Sequence, residues 1–372
     1  MDNVLISIGF LLLAYFISYF LYVKKNNLID SLEALAIILV VLICLNTIII
    51  FIDYESQTNC EEVWSGMVIS VEHIEEYDEY HPEETKTYTT TDSYGNTVTH
   101  TETTPAYWEH HNAINYIDTT DKGKIYVNKT PDGNLLTDDF VNSNKELEQY
   151  YPIGYSTASI HTYENKVQAS YSIYRHKEID LSEYKNKLPK YPKIENDDYT
   201  VDRFVGKVPN KKEVLKKLNK INSNLNWTEN PNNKKGTKSY KQVNIIFVNL
   251  GNVSKDYGYA LQDYWQGGNK NDYVICFGTK GNKITWSYSF SWSEVESLKT
   301  DTNNYMLDKS DLNNFTITID DIGEMIENKF VRKQFADFSY LTIEVSTTAK
   351  VFVYIITFIS CFIMFRYNKY YL

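Results

Sequence analysis

The stretch Val4–Val23 (VLISIGFLLLAYFISYFLYV) contains no charged residue, and it decides how the rest of the chain is interpreted. A helix of about 18 or more such residues can cross the hydrocarbon core of a bilayer. A second uncharged run covers Ala34–Ile52, and a shorter third run covers Val351–Phe365. The third reaches spanning length with Ala349 and Lys350, because a lysine ammonium can extend to the membrane interface. The sequence therefore predicts three transmembrane helices that hold one large polar body.

Basic residues near the spans predict which side of the membrane this body occupies. Lys24 and Lys25 lie between the first two runs, and Arg366 and Lys369 follow the third. Three crossings place all four on one side, which is then the cytoplasm. The body, residues 53–349, is therefore expected to be extracytoplasmic. The alternative, that the first run is a cleaved signal peptide, is disfavoured because no basic n-region precedes it and no small-x-small site follows.

The polar body is strongly acidic. Only three of the 48 acidic residues and five of the 37 basic residues lie outside residues 53–349, so the body has a net charge of −13. A surface of this sign repels phosphate groups, which disfavours nucleic acid and anionic lipid as binding partners.

The four cysteines predict neither a disulfide framework nor a metal centre. Cys44 and Cys361 lie inside predicted spans, where they act as small apolar residues. Cys60 and Cys276 lie in the body and are compatible with a disulfide in an oxidising compartment. Because Cys276 lies within an apolar, strand-like run, two buried free thiols are the favoured interpretation. No CxxC or Cys/His spacing typical of zinc is present, and no cofactor is expected.

Composition divides the chain into five parts. A Lys-, Pro- and Asn-rich stretch with little apolar periodicity predicts a linker. Strand patterns before it predict a β-rich domain, and alternating helix and strand patterns after it predict an α/β sandwich. The predicted fold class is an α+β membrane protein. The parts are a hairpin of two transmembrane helices (1–53), the β-rich domain (54–184), the linker (185–209), the α/β sandwich (210–345), and a transmembrane helix with a cytoplasmic tail (346–372).

Threonine dominates residues 85–104 of the predicted β-rich domain, where ten of twenty residues are Thr. Alternating threonines on both sides of Gly95-Asn96 predict a β-hairpin. Neither face is apolar, so the hairpin is expected to project into water, and an isolated two-stranded ribbon is only marginally stable. Two interpretations stay open: a solvated hairpin, or an arm that contacts a partner. Further strands are expected at Glu62–His73, Lys124–Asn128 and Ser156–Arg175.

The predicted sandwich begins with a helix. Asn210 and Glu213 form a capping box, and apolar residues at helical spacing follow. The apolar run Val243–Leu250 predicts a strand that is buried on both faces. Strand–helix–strand order implies parallel pairing with a right-handed crossover. The remaining expected elements are a helix from Ser254, a buried strand at Tyr273–Phe277, a half-exposed strand at 284–290, a helix from Ser293, and a last helix from Asp321 to Phe330.

Motifs of known catalytic centres are absent from the sequence: there is no GxSxG, HExxH, Walker A or GxGxxG pattern. His110-His111 is the only pair of adjacent histidines. Neighbouring residues of a strand point to opposite faces, so surface histidines are favoured over a metal site. The acidic residues within Glu72–Glu84 lack an EF-hand pattern, and a solvated acidic edge is favoured over a calcium site.

The segment Tyr264–Tyr273 (YWQGGNKNDY) is the strongest candidate for a binding site. It connects a helix to a strand, and its two glycines allow the left-handed backbone that often ends a helix. This structural role is one explanation of the glycines. The other is a polar binding rim beside a tryptophan. The candidate binding residues are Trp265, Gly267, Gly268, Lys270, Asn271 and Asp272, with no catalytic or metal-ligating residue assigned.

Several segments resemble an uncharacterised membrane-protein family encoded by tailed bacteriophages: Lys241–Asn244, Tyr264–Asp272, Trp286–Trp292 and Phe335–Thr342. This resemblance covers most of the chain and implies a viral product in the inner membrane of a bacterial host. Residues 241–335 resemble more loosely the TPM-domain family, membrane-tethered α/β modules reported as acid phosphatases and as assembly or repair factors. The chain departs from that family at its Asp-Asn/Lys-Gly turn, which here is Asn269–Asp272, and in the next strand, which lacks glycine.

The sequence therefore favours a three-pass, membrane-anchored binding or scaffold protein without catalysis of its own. Its expected partners are the lipid bilayer and an envelope protein, and self-association stays open. The alternative is a TPM-like, metal-dependent phosphatase or hydrolase. In that case Asp272 acts together with nearby carboxylates, for which Asp256, Asp263 and Asp301 are the candidates.

Overall fold

The computed structural model describes residues 2–23, 27–91, 93–136, 141–165, 179–192, 201–227, 241–293, 295–333 and 343–371. These residues combine helices and β-sheets in two compact units, each of which is described by itself. Some sequence features lie outside the described residues: the basic pair Lys24 and Lys25, residues 166–175 of the strand expected at Ser156–Arg175, residues 193–200 of the predicted linker, and the segment Phe335–Thr342.

The first unit contains three long helices: α1 (Asp2–Tyr22), α2 (Leu28–Thr58) and α8 (Thr347–Tyr370). Each is long and apolar enough to cross a membrane, which confirms the prediction of three such helices. Large apolar side chains such as Phe20 and Phe358 are exposed on their outer faces. Helices satisfy their own backbone hydrogen bonds, so these faces are suited to contact with lipid.

Polar side chains connect the three helices to one another. Ser31 Oγ donates to Asn368 Oδ1 over 3.0 Å, and Asn368 Nδ2 donates to Ser18 Oγ over 2.8 Å. Further along the bundle, Thr357 Oγ1 donates to Ser7 Oγ over 2.9 Å. Small and polar residues of this kind hold membrane helices together where apolar contact alone cannot select a register.

The second unit contains two four-stranded sheets. The first has the strand order β7-β6-β1-β8. Its core forms where Val68 of β1 and Ile117 of β6 pack with Leu147 of a short helix. The elements are β1 (Asn59–Ile74), β6 (Ile114–Thr119), β7 (Gly123–Tyr126), α3 (Asn144–Tyr150) and β8 (Ser156–Glu164).

Between β1 and β6 the chain forms a two-stranded ribbon over residues 77–111, called the arm below. Strand β2 (Tyr77–His81) pairs with β5 (Tyr107–His111), and β3 (Glu84–Thr91) pairs with β4 (Thr97–Thr104), both antiparallel. All side chains of β3 and β4 are exposed. The predicted Thr-rich hairpin is therefore confirmed, and it has no apolar face to bury.

The second sheet has the order β12-β11-β10-β9, in which β9, β10 and β11 are parallel and β12 is antiparallel to β11. Helices cover both faces of this sheet. The strands are β9 (Phe204–Val205), β10 (Asn244–Asn249), β11 (Asp272–Lys280) and β12 (Lys283–Ser291). The helices are α4 (Lys211–Trp227), α5 (Asp256–Tyr264), α6 (Glu296–Asp308) and α7 (Phe315–Lys329).

The central strand β10 is buried on both faces, as its uninterrupted apolar run predicts. Because successive side chains of a strand alternate, Ile245 and Phe247 pack with residues of α4 and α7. Ile246 and Val248 pack on the other face with residues of α5. The sheet therefore lies between two apolar layers, and its strand ends position the polar residues described below.

Three expectations differ from the structure in detail. The strand at 284–290 is almost entirely buried rather than half exposed, because Ser287 and Ser289 donate hydrogen bonds to Asn303 of α6. The last helix begins at Phe315, after a 3₁₀ turn, so Asp321 lies within it and does not cap it. The segment 185–209, predicted as a linker, contains a 3₁₀ turn and strand β9.

The cysteines are all free in the structure. Cys276 is buried in β11, and its Sγ donates to the carbonyl of Tyr288 over 3.1 Å. Burial raises the pKa of the Cys276 thiol, so this side chain is unreactive at neutral pH. Cys60 is half-buried, in contrast to the expectation of two fully buried thiols.

Candidate functional site

The segment Tyr264–Tyr273 connects α5 to β11 through a turn with left-handed backbone. Gln266, Gly267 and Gly268 have φ values of 53°, 79° and 77°. At Gly268 a Cβ atom would also lie 2.9 Å from Asp272 Oδ2, so the position requires glycine for space as well as for conformation. The glycines of the candidate site thus have a structural explanation.

The predicted binding residues lie below the protein surface and not at an exposed rim. Asp272 is 0% exposed, Asn271 1%, Trp265 7% and Lys270 9%. Asn271 Nδ2 donates to the carbonyl of Val63 in β1 over 2.7 Å. The amino end of β11 is therefore covered by the first sheet, a long-range contact that sequence spacing does not show.

Asp272 is surrounded by hydrogen-bond donors. Its Oδ1 accepts from Asn244 Nδ2 over 2.8 Å. Its Oδ2 accepts from the Tyr191 hydroxyl over 2.8 Å and from the Asn269 backbone N–H over 2.7 Å. Burial raises the pKa of Asp272 to about 6, although these three hydrogen bonds act in the opposite direction. The carboxylate is ionised at neutral pH and has no contact with solvent.

Arg203 is the residue that sequence reasoning missed. It is 1% exposed, and it precedes β9 inside the segment predicted as a linker. Its Nε donates to Asn244 Oδ1 and its Nη1 to Asn219 Oδ1, both over 2.7 Å. Its Nη2 donates to Ser65 Oγ in β1. Burial lowers the pKa of Arg203 to about 10, so the guanidinium keeps its charge.

These contacts form one polar network, called the Arg203–Asp272 network below. Asn244 lies between the two charges, accepting from Arg203 and donating to Asp272. A third charge lies nearby, since Asp121 attracts Arg203 electrostatically. Asp121 Oδ1 accepts from Thr157 over 2.7 Å. The network therefore joins the first sheet to the second by charge-assisted hydrogen bonds, and its polar groups serve to hold the unit together.

A cavity of about 680 Å³ opens beside this network. Trp265 and Gly268 line it, whereas Lys270, Asn271 and Asp272 do not. Three of the side chains that line it are engaged within the protein: Trp265 Nε1 donates to the carbonyl of Pro189, and Asn269 Nδ2 donates to the Tyr191 hydroxyl. The cavity has the size of a small-ligand pocket, and Lys190 and Gln266 also line it.

The carboxylates required by the hydrolase interpretation do not converge on Asp272. Asp301 of α6 pairs with Lys329 of α7 over 2.6 Å. Asp256 and Asp263 lie at opposite ends of α5. Within the part of the chain that the structure describes, no three His, Cys, Asp or Glu side chains are placed to hold a metal ion as they stand. Asp272 is bound instead by Asn244, Tyr191 and Asn269.

The arm has the opposite character, because its polar and aromatic groups are exposed. Rings contact each other across its two strands: the tilted rings of Tyr80 and Trp108 have centroids 5.0 Å apart, and Tyr88 stacks on His100 with centroids 5.2 Å apart. Trp108 is 67% exposed and Tyr80 52%. The arm, residues 77–111, contains seven acidic residues and a single lysine, so it is strongly negative.

The adjacent histidines of the arm point to opposite faces, as predicted for a strand. His110 Nδ1 lies 2.8 Å from Asp78 Oδ1, and this hydrogen bond raises the pKa of the exposed imidazole. His111 stacks on Tyr77, with ring centroids 4.6 Å apart, on the other face. The two faces of the arm therefore present different chemistry.

No family model, curated protein or solved structure matches this chain. The resemblances to a phage-encoded family and to TPM domains stay expectations from the sequence.

Proposed function

We propose that this chain is a membrane-anchored binding protein of the bacterial envelope that uses its arm to hold a basic protein partner. The observation that carries this proposal is the exposed pair Tyr80 and Trp108, whose rings contact each other across a ribbon that has no hydrophobic core. Tryptophan and tyrosine supply most of the binding energy at many protein interfaces. Two large aromatic side chains held in solvent are suited to enter pockets of a partner.

Charge supports a basic partner. The arm that carries the aromatic pair contains seven acidic residues, and Lys86 is the only lysine or arginine in residues 77–111. Complementary charge steers association and excludes acidic surfaces, including nucleic acid and anionic lipid headgroups. Capture by the arm is therefore expected to weaken as salt is raised, because the Debye length falls from about 10 Å at 0.1 M to about 3 Å at 1 M.

The helices of the first unit provide the anchor. Confinement to one membrane raises the effective concentration of the arm against other envelope proteins without any additional contact. Arg366 and Lys369 at the end of α8 favour a cytoplasmic C-terminus, which places the arm outside the cytoplasm. Trypsin added to intact spheroplasts is then expected to cleave after Lys86. Protection of Lys86 until the cells are lysed would contradict this orientation.

A binding role is favoured over the TPM-like hydrolase because the candidate catalytic carboxylate is already used. Asp272 accepts three hydrogen bonds from the protein and is fully buried. A substrate phosphate would have to displace Tyr191 or Asn269 to reach it. The exposed groups of the arm require no such rearrangement.

Site-specific photo-crosslinking in a bacterial membrane tests the proposal. A photo-reactive amino acid at Trp108 is expected to give a discrete adduct with one envelope protein, and Tyr80→Ser is expected to reduce its yield. The matched control is the same amino acid at Lys217, which is exposed on α4 and pairs with Asp320. Absence of an adduct at Trp108, or the same adduct from both positions, would refute a contact role for the arm.

A further inference from the structure

One face of the arm carries the same motif twice. Strand β2 contains Tyr77, Glu79 and His81 at alternate positions, and β5 contains Tyr107, Glu109 and His111 with the same spacing. The antiparallel register places Tyr77 opposite His111, Glu79 opposite Glu109, and His81 opposite Tyr107. The repeat thus generates a local two-fold arrangement in which two Tyr–His pairs flank two opposed carboxylates.

The side-chain geometry follows this symmetry. His81 stacks on Tyr107 and His111 stacks on Tyr77, with ring centroids 4.7 Å and 4.6 Å apart. Each stacked imidazole directs its Nε2 toward the carboxylate of the opposite strand. His81 Nε2 lies 3.1 Å from Glu109 Oε2, and His111 Nε2 lies 3.2 Å from Glu79 Oε2. His81 Nε2 also lies 4.0 Å from Glu79 Oε2, so the four groups share one small region.

Two observations point to a cation between the strands. Both Nε2 atoms are screened from solvent, and each lies within ion-pair distance of a carboxylate without a hydrogen bond of acceptable geometry. In addition, Glu79 and Glu109 stand directly opposite each other, and like charges at such a position destabilise a strand pair. A cation between the strands would satisfy both nitrogen atoms and neutralise the repulsion.

We propose that His81, His111, Glu79 and Glu109 form a binding site for a divalent transition-metal ion of the Zn²⁺ class. Two imidazoles and two carboxylates are a typical donor set for Zn²⁺, whereas Ca²⁺ and Mg²⁺ prefer oxygen donors alone. In a tetrahedral site with bonds of about 2.0–2.2 Å, neighbouring donor atoms are about 3.3–3.5 Å apart. The observed separations of 3.1, 3.2 and 4.0 Å bracket this range.

Metal binding requires a small rearrangement, since these donors do not yet enclose a cation. The terminal torsion of glutamate is broad, so the carboxylates of Glu79 and Glu109 can turn toward a common centre. Both are about half exposed, and the centre is open to ions from solution. The bound ion would connect β2 to β5 at the base of the arm and so stiffen a ribbon that no core supports.

Zinc titration of the chelator-stripped, full-length protein in detergent tests this site, with a chromophoric zinc chelator as competitor. One Zn²⁺ is expected to bind per chain, and His81→Ala or His111→Ala is expected to weaken binding by at least about 100-fold. Glu79→Gln combined with Glu109→Gln is expected to have a similar effect. Ca²⁺ and Mg²⁺ are expected not to compete.

His110→Ala is the matched control, because His110 belongs to the same strand but lies on the other face with Asp78. It is expected to bind Zn²⁺ like the unchanged protein. Zinc should also slow tryptic cleavage after Lys86 in the unchanged protein and not in His81→Ala. Without zinc, both proteins should have the same thermal transition, which shows that the variant is folded. The proposal would be overturned if the unchanged protein and a His81→Ala/His111→Ala variant bound zinc with equal affinity. It would also be overturned if His110→Ala lost as much zinc affinity as His81→Ala or His111→Ala. These measurements need no protein partner, so they are independent of the function proposed above.

Discussion

The Arg203–Asp272 network and the arm use similar residues in opposite surroundings. Both combine carboxylates, a tyrosine and polar side chains, but Arg203 and Asp272 are buried whereas Trp108 is 67% exposed. In the network, each oxygen of Asp272 and each nitrogen of the Arg203 guanidinium has a protein partner. In the arm, Glu79 and Glu109 face each other, and each has only an imidazole nitrogen nearby, His111 Nε2 at 3.2 Å and His81 Nε2 at 3.1 Å.

This difference indicates how structural polar residues can be separated from functional ones in this chain. Buried charges are costly unless they are paired and hydrogen-bonded, so stability explains the hydrogen bonds of Arg203 and Asp272. Asp121 Oδ2 is the buried oxygen of this network that makes no hydrogen bond. Exposed aromatic rings and opposed carboxylates contribute little to folding. Their arrangement on the arm therefore calls for a ligand, whereas the arrangement around Asp272 does not.

The largest expected effect comes from removing the buried positive charge. Arg203→Met leaves Asp272 without a neighbouring cation and leaves the acceptors of Asn244, Asn219 and Ser65 unpaired. We expect a loss of about 3–5 kcal/mol in the free energy of unfolding. Thermal or denaturant unfolding of the full-length protein in detergent measures this change. The control is Lys217→Met at an exposed ion pair, for which a loss below about 1 kcal/mol is expected. Equal losses would show that the network is not a special source of stability.

The second expected effect is that titration of Asp272 makes the free energy of unfolding depend on pH. Its pKa is about 6 when folded and near the ordinary 3.8 when unfolded, so the folded protein binds the proton more tightly. Stability from this group is therefore greatest below about pH 4 and falls as pH rises to about 6, by about 3 kcal/mol. Asp272→Asn should lack this contribution. The free energy of unfolding of both proteins is measured between pH 4 and pH 7. As pH rises, the variant is expected to become more stable relative to the unchanged protein. A constant difference across this range would contradict the assignment.

The smallest effect on stability is expected in the arm. Tyr80→Ser combined with Trp108→Ser removes two exposed rings from a ribbon without a core, so the free energy of unfolding should change by less than about 0.5 kcal/mol. The same double variant should retain little of the envelope partner in a pull-down from the membrane. A loss of stability comparable to that of Arg203→Met would place the rings in the folded core and remove the contrast between the two regions.

The sequence predicted those elements whose pattern is local. The three uncharged runs, the Thr-rich hairpin around Gly95 and the buried strand at Val243–Leu250 all agree with the structure. Each is specified by a run of neighbouring residues with one dominant character. The start of α7 was misplaced because a capping box at Asp321 occurs by chance inside a longer helix.

The candidate site was only partly predictable. The segment Tyr264–Tyr273 was identified from its glycines, but Asp272 and Asn271 are covered by groups far away in the chain, such as Tyr191 and Val63. Arg203 gave no signal, because in the sequence a single arginine between Asp202 and Phe204 is indistinguishable from a surface residue. The repeated Tyr-x-Glu-x-His motif was visible in the sequence, but it became informative only once the strand register was known.

The amino-acid sequence by itself determined the three long apolar helices, the acidic body and the exposed hairpin, because hydrophobicity, charge and turn propensity act over a few neighbouring residues. The tertiary structure alone decided which polar residues are buried and which face each other, because burial and strand register depend on segments that are distant in the chain. Asp272 and Glu79 are both acidic residues of β-strands, and only their surroundings make one a structural anchor and the other a candidate ligand.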